Sequence, residues 1–336
     1  MPKRKYFRIS VLLFLLLGVF FYIHGFYFPV NIKGPTLNKK DYTLDSVSFN
    51  DSITLKLHVF NTGINKVSYF LVGKANPWRP APAFVIEHPK YGLIVFDTGL
   101  ASNIAQIGNK ALHPITRLLF DTRSLKNKDL PTQMSKADLL PKKVTKVIFS
   151  HLHFDHIGNA DAFTNATYYV GQDTDLEDMT RMEGFEPNFI VQLEKEHSFK
   201  KIDFSSGKPF DSFKNVVDLL GDGSILVVRG NGHLNGSISL FVHLPQGMVF
   251  LTGDEVVNFD WLNSNDVQRI SKNPKRAAEV RNRVRMLKEL RPDILIFPGH
   301  DFPKIPKNRT DIVVYQPELF VNKTWHLNVI KKGANK

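Results

Sequence analysis

"SHLHFDHIGN", residues 150–159, closes the apolar run Val144–Phe149 with three histidines and an aspartate inside six positions. In extended backbone alternate side chains point the same way, so His151 and His153 reach one point together. Asp155 and His156 follow where the chain must turn and start a helix, and they face a second point nearby. Imidazole suits zinc and iron, while a carboxylate adds a harder oxygen donor that offsets cationic charge. The stretch therefore reads as the ligand turn of a metal site at the end of a strand.

Three more strand-end signals lie downstream: "NGH" ending at His233, "TGD" ending at Asp254 and "PGH" ending at His300. In each, a glycine follows an apolar run and precedes a potential ligand. Together with 151–156 they supply five histidines and two aspartates. That suffices for two ions with three protein ligands each and a bridging carboxylate, leaving positions open for water as catalytic sites require. The other histidines (His24, His58, His88, His113, His197, His243 and His326) lie outside such contexts and read as surface or core residues.

With no cysteine in the chain, disulfides, thiolate zinc sites and cysteine nucleophiles are excluded. The 336 residues, 43% hydrophobic and 23% charged, fit a globular protein of two domains or one large layered domain with a tail. The net charge of +12 comes without an aromatic-interleaved basic stripe, so nucleic acid is not an expected partner. "GNGHLNGS" and "GDGS" lack the strand-to-helix context of a phosphate loop.

The first thirty residues stand apart. Lys3, Arg4, Lys5 and Arg8 form a basic tail (1–8) before "ISVLLFLLLGVFFYIHGFYF", residues 9–28, a length that matches a bilayer's hydrocarbon. The exit has no small-residue cleavage pattern, so an uncleaved transmembrane anchor is preferred over a removed signal peptide. The positive-inside rule then places the catalytic part outside the cytoplasm, or secreted if the segment is cleaved. Residues 29–50 read as a linker and 326–336 as a tail, leaving 51–325 as the folded domain.

Within that domain, short β-rich runs at 53–60, 83–88, 93–99, 146–150, 166–170, 224–230, 237–243, 248–254 and 293–300 alternate with helical patterns. In "NPKRAAEVRNRVRMLKELRPD", Ala277, Val280, Val284, Leu287 and Leu290 recur at helical spacing, while Arg276, Arg281, Arg283, Arg285 and Lys288 occupy the other faces and read as solvated. The poorly patterned stretch 101–141 reads as a helical insertion packed on the core, or as a cap.

The ordered set "DTG" at 97, "HLHFDH" at 151, "GH" at 233, "GD" at 254 and "GH" at 300 resembles the metallo-β-lactamase superfamily over roughly residues 55–305. The resemblance implies a four-layer αββα sandwich with the metals at one edge between the sheets. It implies that His151, His153 and His233 hold one divalent ion, that Asp155, His156 and His300 hold the other, and that Asp254 bridges; zinc is the expected metal. Asp97 would orient the ligand loop, although "DTG" alone also reads as a turn at a strand end. Members that reduce oxygen or nitric oxide usually carry Glu where this chain has His153, which points to the hydrolytic branch. The longer strings around these motifs resemble the N-acyl-homoserine lactonases. Two departures stand out: "NGHLNGS" replaces that group's "PGHTPG", and Val257 replaces a tyrosine three positions after the bridging aspartate.

The expected reaction is opening of a carboxylic ester, a lactone such as an N-acyl-homoserine lactone, by hydroxide bridging two metals, with Asp155 or Asp254 passing the proton. Trp78, Phe84 and Trp261 are candidate walls for an acyl chain. The alternatives are a phosphodiesterase of the same fold and a membrane-anchored scaffold that binds metal without turnover.

Overall fold

The structure, a computed structural model, describes residues 2–27, 30–38, 50, 52–68, 77–176, 193, 195–267 and 271–317. Sixteen strands are described: β1 (Val30–Asn31), β2 (Lys56–Val67), β3 (Trp78–His88), β4 (Gly92–Phe96), β5 (Phe120–Arg123), β6 (Val144–Ile148), β7 (Thr167–Gly171), β8 (Phe199–Ile202), β9 (Lys208–Phe210), β10 (Phe213–Asp218), β11 (Ile225–Arg229), β12 (Ile238–Leu244), β13 (Gly247–Leu251), β14 (Asp266–Val267), β15 (Leu295–Phe297) and β16 (Ile312–Val314). The first large sheet runs β16-β2-β3-β4-β6-β7-β8 with β5 paired to β2, and the second runs β15-β13-β12-β11-β10-β9.

The two sheets face each other across a core of Leu57, Val59, Phe84, Ile86, Ile94 and Phe96 from one and Ile225, Val227, Leu240, Val242, Val249 and Leu251 from the other. Because the opposite faces are also covered, the central strands read as nearly continuous apolar runs rather than alternating ones. The outer face of the first sheet packs Val85, Val95 and Val147 against Ile104, Leu130, Met134, Phe154 and Ile157 of the short helices α2 (Ile104–Ile107), α4 (Leu130–Lys136) and α5 (Phe154–Ile157). The outer face of the second packs Leu226, Phe241 and Phe250 against Leu262 of α6 (Phe259–Asn263) and Val280, Val284 and Leu287 of α7 (Pro274–Leu290). The expected αββα layering is therefore present. The insertion at 101–141 is short helices, including α3 (Pro114–Leu119), and the strand β5, which adds to the sheet edge.

Helix α7 starts where its sequence dictates: Pro274 occupies the first turn and the Asn273 side chain accepts from Arg276 N at 3.0 Å. Asn273→Ala is expected to cost about 1 kcal/mol, read as a lower melting temperature with unchanged metal content. Two arginines expected on solvated faces are instead buried, Arg281 at 3% and Arg283 at 4% exposure. Backbone carbonyls at neighbouring edges recruit them. Arg281 donates to Asp266 O (2.9 Å) and Ile32 O (2.8 Å), and Arg283 donates to Ser212 O (2.5 Å).

The expected linker is likewise corrected in its described part. Val30 and Asn31 pair antiparallel with Val267 and Asp266, and Asn282 donates to Pro35 O at 3.0 Å. Gly34 lies so close to α7 that a Cβ would stand 2.5 Å from Ala278 O. Residues 30–37 are thus a strap on the folded body; 39–49, the domain end at 325 and the tail 326–336 lie outside the described residues.

Ahead of the strap, α1 (Pro2–Tyr27) is a helix as expected. Among the described residues no helix is long and apolar enough to cross a membrane. The transmembrane expectation for 9–28 is not borne out at that level.

Candidate metal centre

All seven expected ligands converge at one end of the sandwich, each just beyond the C-terminal end of a strand. His151 and His153 lie on extended backbone after β6, with His153 at φ −71°, ψ 153° immediately ahead of α5, whose single turn rotates Asp155 and His156 inward. His233 follows β11, Asp254 sits in the 3-10 turn Gly253–Glu255 after β13, and His300 follows β15. The glycines ahead of Asp254 and His300 are required by crowding. A Cβ on Gly253, where φ is +52°, would meet Ser150 Cβ at 2.6 Å, and one on Gly299 would meet Asp254 Oδ1 at 2.2 Å.

Two groups result. Donor atoms of His151, His153, His233 and Asp254 lie within 4.8 Å of one another, as do those of Asp155, His156 and His300. His151 Nε2 and His233 Nε2 approach His153 Nδ1 to 2.7 and 3.0 Å. Asp254 spans both groups, with Oδ2 3.6 Å from His233 Nε2 and Oδ1 3.2 Å from His300 Nε2 and 3.5 Å from His156 Nε2. His156 Nε2 and Asp254 Oδ1 are buried without a hydrogen-bond partner. Such orphaned atoms call for an explanation, and imidazole lone pairs aimed at a common point beside a carboxylate fit divalent metal ions.

Burial alone would lower His156, yet the carboxylates of Asp97, Asp254 and Asp155 outweigh it and carry the ion-free imidazole up to about 10. Burial would raise Asp254, but the neighbouring His300, His156 and His233 hold it well below the usual carboxylate range, so it stands ready as an anionic ligand. For His151, burial and the surrounding imidazoles act together and push it well down, which keeps its lone pair free.

A set of polar partners orients these ligands. Asp97, at φ +57°, accepts from Ser150 N and Ser150 Oγ, both at 2.7 Å, and from His156 Nδ1 at 2.8 Å. The Nδ1 bond leaves His156 Nε2 as the nitrogen that faces Asp254 Oδ1, 3.5 Å away. His300 Nδ1 donates in the same way to Pro80 O at 2.6 Å.

Sequence reasoning missed two partners. Asn65 Nδ2 donates to Asp155 Oδ2 at 2.5 Å. Glu255, 6% exposed, accepts from Gly232 N (2.9 Å), His233 N (3.2 Å) and the Ser237 hydroxyl, and so holds the loop that carries His233. Its position directly after Asp254 was the only local hint. Glu255→Ala would strand these donors; a loss of about 3 kcal/mol and weaker binding of the first ion are expected, read by thermal melting and metal titration.

Of the candidate acyl-chain walls, Phe84 is excluded because it belongs to the core between the sheets. Trp261 is buried and lines a cavity with Asp254, Val256 and Val257. Trp78 lies at a sheet end with Lys66 Nζ 5.3 Å from its ring centroid.

Two facing mixed sheets with helices outside, and a His/Asp ligand set at their strand ends, define a metal-dependent hydrolase class. The chain belongs to the metallo-beta-lactamase superfamily, whose family model matches residues 76–300. It is 28% identical over 209 residues to the N-acyl homoserine lactonase AttM of Rhizobium johnstonii, covering 62% of this chain and 74% of the relative. The AttM lactonase of Rhizobium radiobacter is 29% identical over the same coverage. Among solved structures, an N-acyl homoserine lactone hydrolase with N-hexanoyl-L-homoserine bound at its catalytic metal center superposes with a TM-score of 0.61 at 22% identity, covering 74% of this chain and 94% of the other.

Proposed function

We propose that this hydrolase opens a carboxylic ester ring, a lactone of the N-acyl-homoserine class, at a centre of two divalent ions, zinc being the expected metal. The observation that carries the reading is Asp254 standing between the two His/Asp groups, with Oδ2 3.6 Å from His233 Nε2 and Oδ1 3.2 Å from His300 Nε2. His151, His153 and His233 would hold one ion, Asp155, His156 and His300 the other. When bound, the ions supply Lewis acidity toward a carbonyl oxygen and acidify water to near neutrality.

The chain's own residues do the rest. Asp97 and Pro80 O fix the tautomers of His156 and His300. Asp155 and Asp254 are the carboxylates placed to take a proton and deliver it to the leaving alkoxide. Val257 contributes its backbone instead of a polar side chain, its carbonyl accepting from His300 N at 2.7 Å.

The test is a panel of lactones, thioesters and phosphodiesters given to the purified, metal-loaded protein with and without chelator. Chelator-sensitive lactone opening is expected. Cleavage of phosphodiesters alone would overturn the carboxyl-ester reading.

The basic tail and the apolar run 9–28 further support an anchor in the lipid bilayer with the catalytic body outside the cytoplasm. Retention in the membrane pellet at alkaline pH is the expected outcome, and quantitative release would remove that assignment.

A further inference from the structure

Behind Asp155, two buried polar residues face each other across adjacent strands. Asn65 on β2 and Arg79 on β3 are register partners just past the bulge between Asn61 and Ile64, with 0% and 3% exposure. Thr122 Oγ1 donates to Asn65 Oδ1 at 2.8 Å, which leaves the amide NH2 to donate to Asp155 Oδ2. The carboxylate can only accept, so the orientation of the amide is fixed by chemistry. The residue after Arg79 is Pro80, whose carbonyl holds His300. One strand end therefore carries a cation and braces a histidine of the Asp155 group.

The carboxylates of Asp254 and Asp155 act on the Arg79 guanidinium, and although burial pulls it down to about 10 it stays charged at neutral pH. A fixed buried charge of this kind is poorly screened by salt. Its positive charge would oppose a divalent ion held by the same carboxylates. Asp155 meets it with one oxygen already engaged by Asn65, so less of its charge is available to a metal. Asp97 acts in the opposite direction through His156, by raising that imidazole's basicity.

We propose that Arg79, with Asn65 beside it, sets the affinity of the second metal position (Asp155, His156, His300) and keeps that ion exchangeable. The two ions then load in sequence, and the doubly loaded state follows the ambient metal concentration. The inference rests on the two-ion reading of the site but not on the identity of the substrate.

The experiment is a titration of the chelator-treated full chain with Zn2+ and with Co2+ against a competing chromophoric chelator. Co2+ absorption separates the two environments. The wild type, Arg79→Met, Arg79→Gln and Arg79→Lys are compared, with circular dichroism reporting the fold. Both neutral variants are expected to bind the second equivalent at least about tenfold more tightly, with the first equivalent changed far less. Arg79→Lys, which keeps the charge, should stay near the wild type.

Gln retains hydrogen-bonding capacity, so a folded neutral variant remains if Met is not tolerated. An unchanged or weaker second equivalent in a folded neutral variant overturns the proposal, as does equal tightening of both equivalents. Because the readout counts ions, a protein that binds two of them but opens no lactone would defeat the functional proposal alone.

Discussion

Asp254→Ala is expected to reduce chelator-sensitive hydrolysis by at least about a thousandfold, the scale seen when a member of a mutually dependent catalytic set is removed. Among the described residues Asp254 is the side chain whose two oxygens reach both groups, Oδ2 toward His233 and Oδ1 toward His156 and His300. Without it, the two His/Asp groups would lack the shared carboxylate that, on the two-ion reading, offsets the repulsion between the cations. Metal per chain should fall from about two to one or less, a stoichiometry read by elemental analysis of the folded variant. Asp254→Asn, which keeps one oxygen donor and the volume, should lie between. Full activity in the alanine variant with two ions bound would show that the bridging role is misassigned.

Asp97→Ala is the second large effect, and it has two parts. The carboxylate accepts three hydrogen bonds in a buried position, one of them from His156. Its loss should destabilise the protein by about 3–5 kcal/mol, as expected when one partner of a buried pair is removed. The fraction that folds should bind metal, or turn over, about 10–100-fold less well because His156 is no longer held in the right tautomer.

The pair also gives a pH signature. In the ion-free protein His156 is raised from 6.5 to about 10. Its stabilising contribution is therefore complete below the unfolded value near 6.5 and is lost as pH rises through about 10. Melting of the chelator-treated wild type should show this decline toward high pH, and Asp97→Asn should flatten it.

The ligand set was legible because it is written locally. His151 and His153 follow an apolar strand, and Gly253 and Gly299 are forced by close approach directly ahead of Asp254 and His300, so strand, glycine and ligand occupy adjacent positions. The central strands were legible for a related reason, since burial on both faces leaves apolar runs such as "ILVVR" and "GMVFL".

What escaped depends on partners distant in sequence. Asn65 and Asp155 are 90 residues apart, and nothing around "NTGINKV" announces a metal-site amide. Arg281 and Arg283 looked like solvated helix positions because helical periodicity reports spacing, while the carbonyls they satisfy come from Ile32, Asp266 and Ser212. Peripheral strands such as "KPF" and "FKKI" carry too much charge to stand out from loop sequence.

The strap at residues 30–37 changes how the N-terminal helix relates to the catalytic body. A free linker of some twenty residues would act as a leash, letting the enzyme tumble and search a volume around its tether. Here Tyr27 ends the helix and Val30 already pairs with Val267. Three peptide steps can reach at most about 11 Å. The tether is therefore short: whatever surface or partner takes up the helix does so within that reach of the strap, beside the catalytic body.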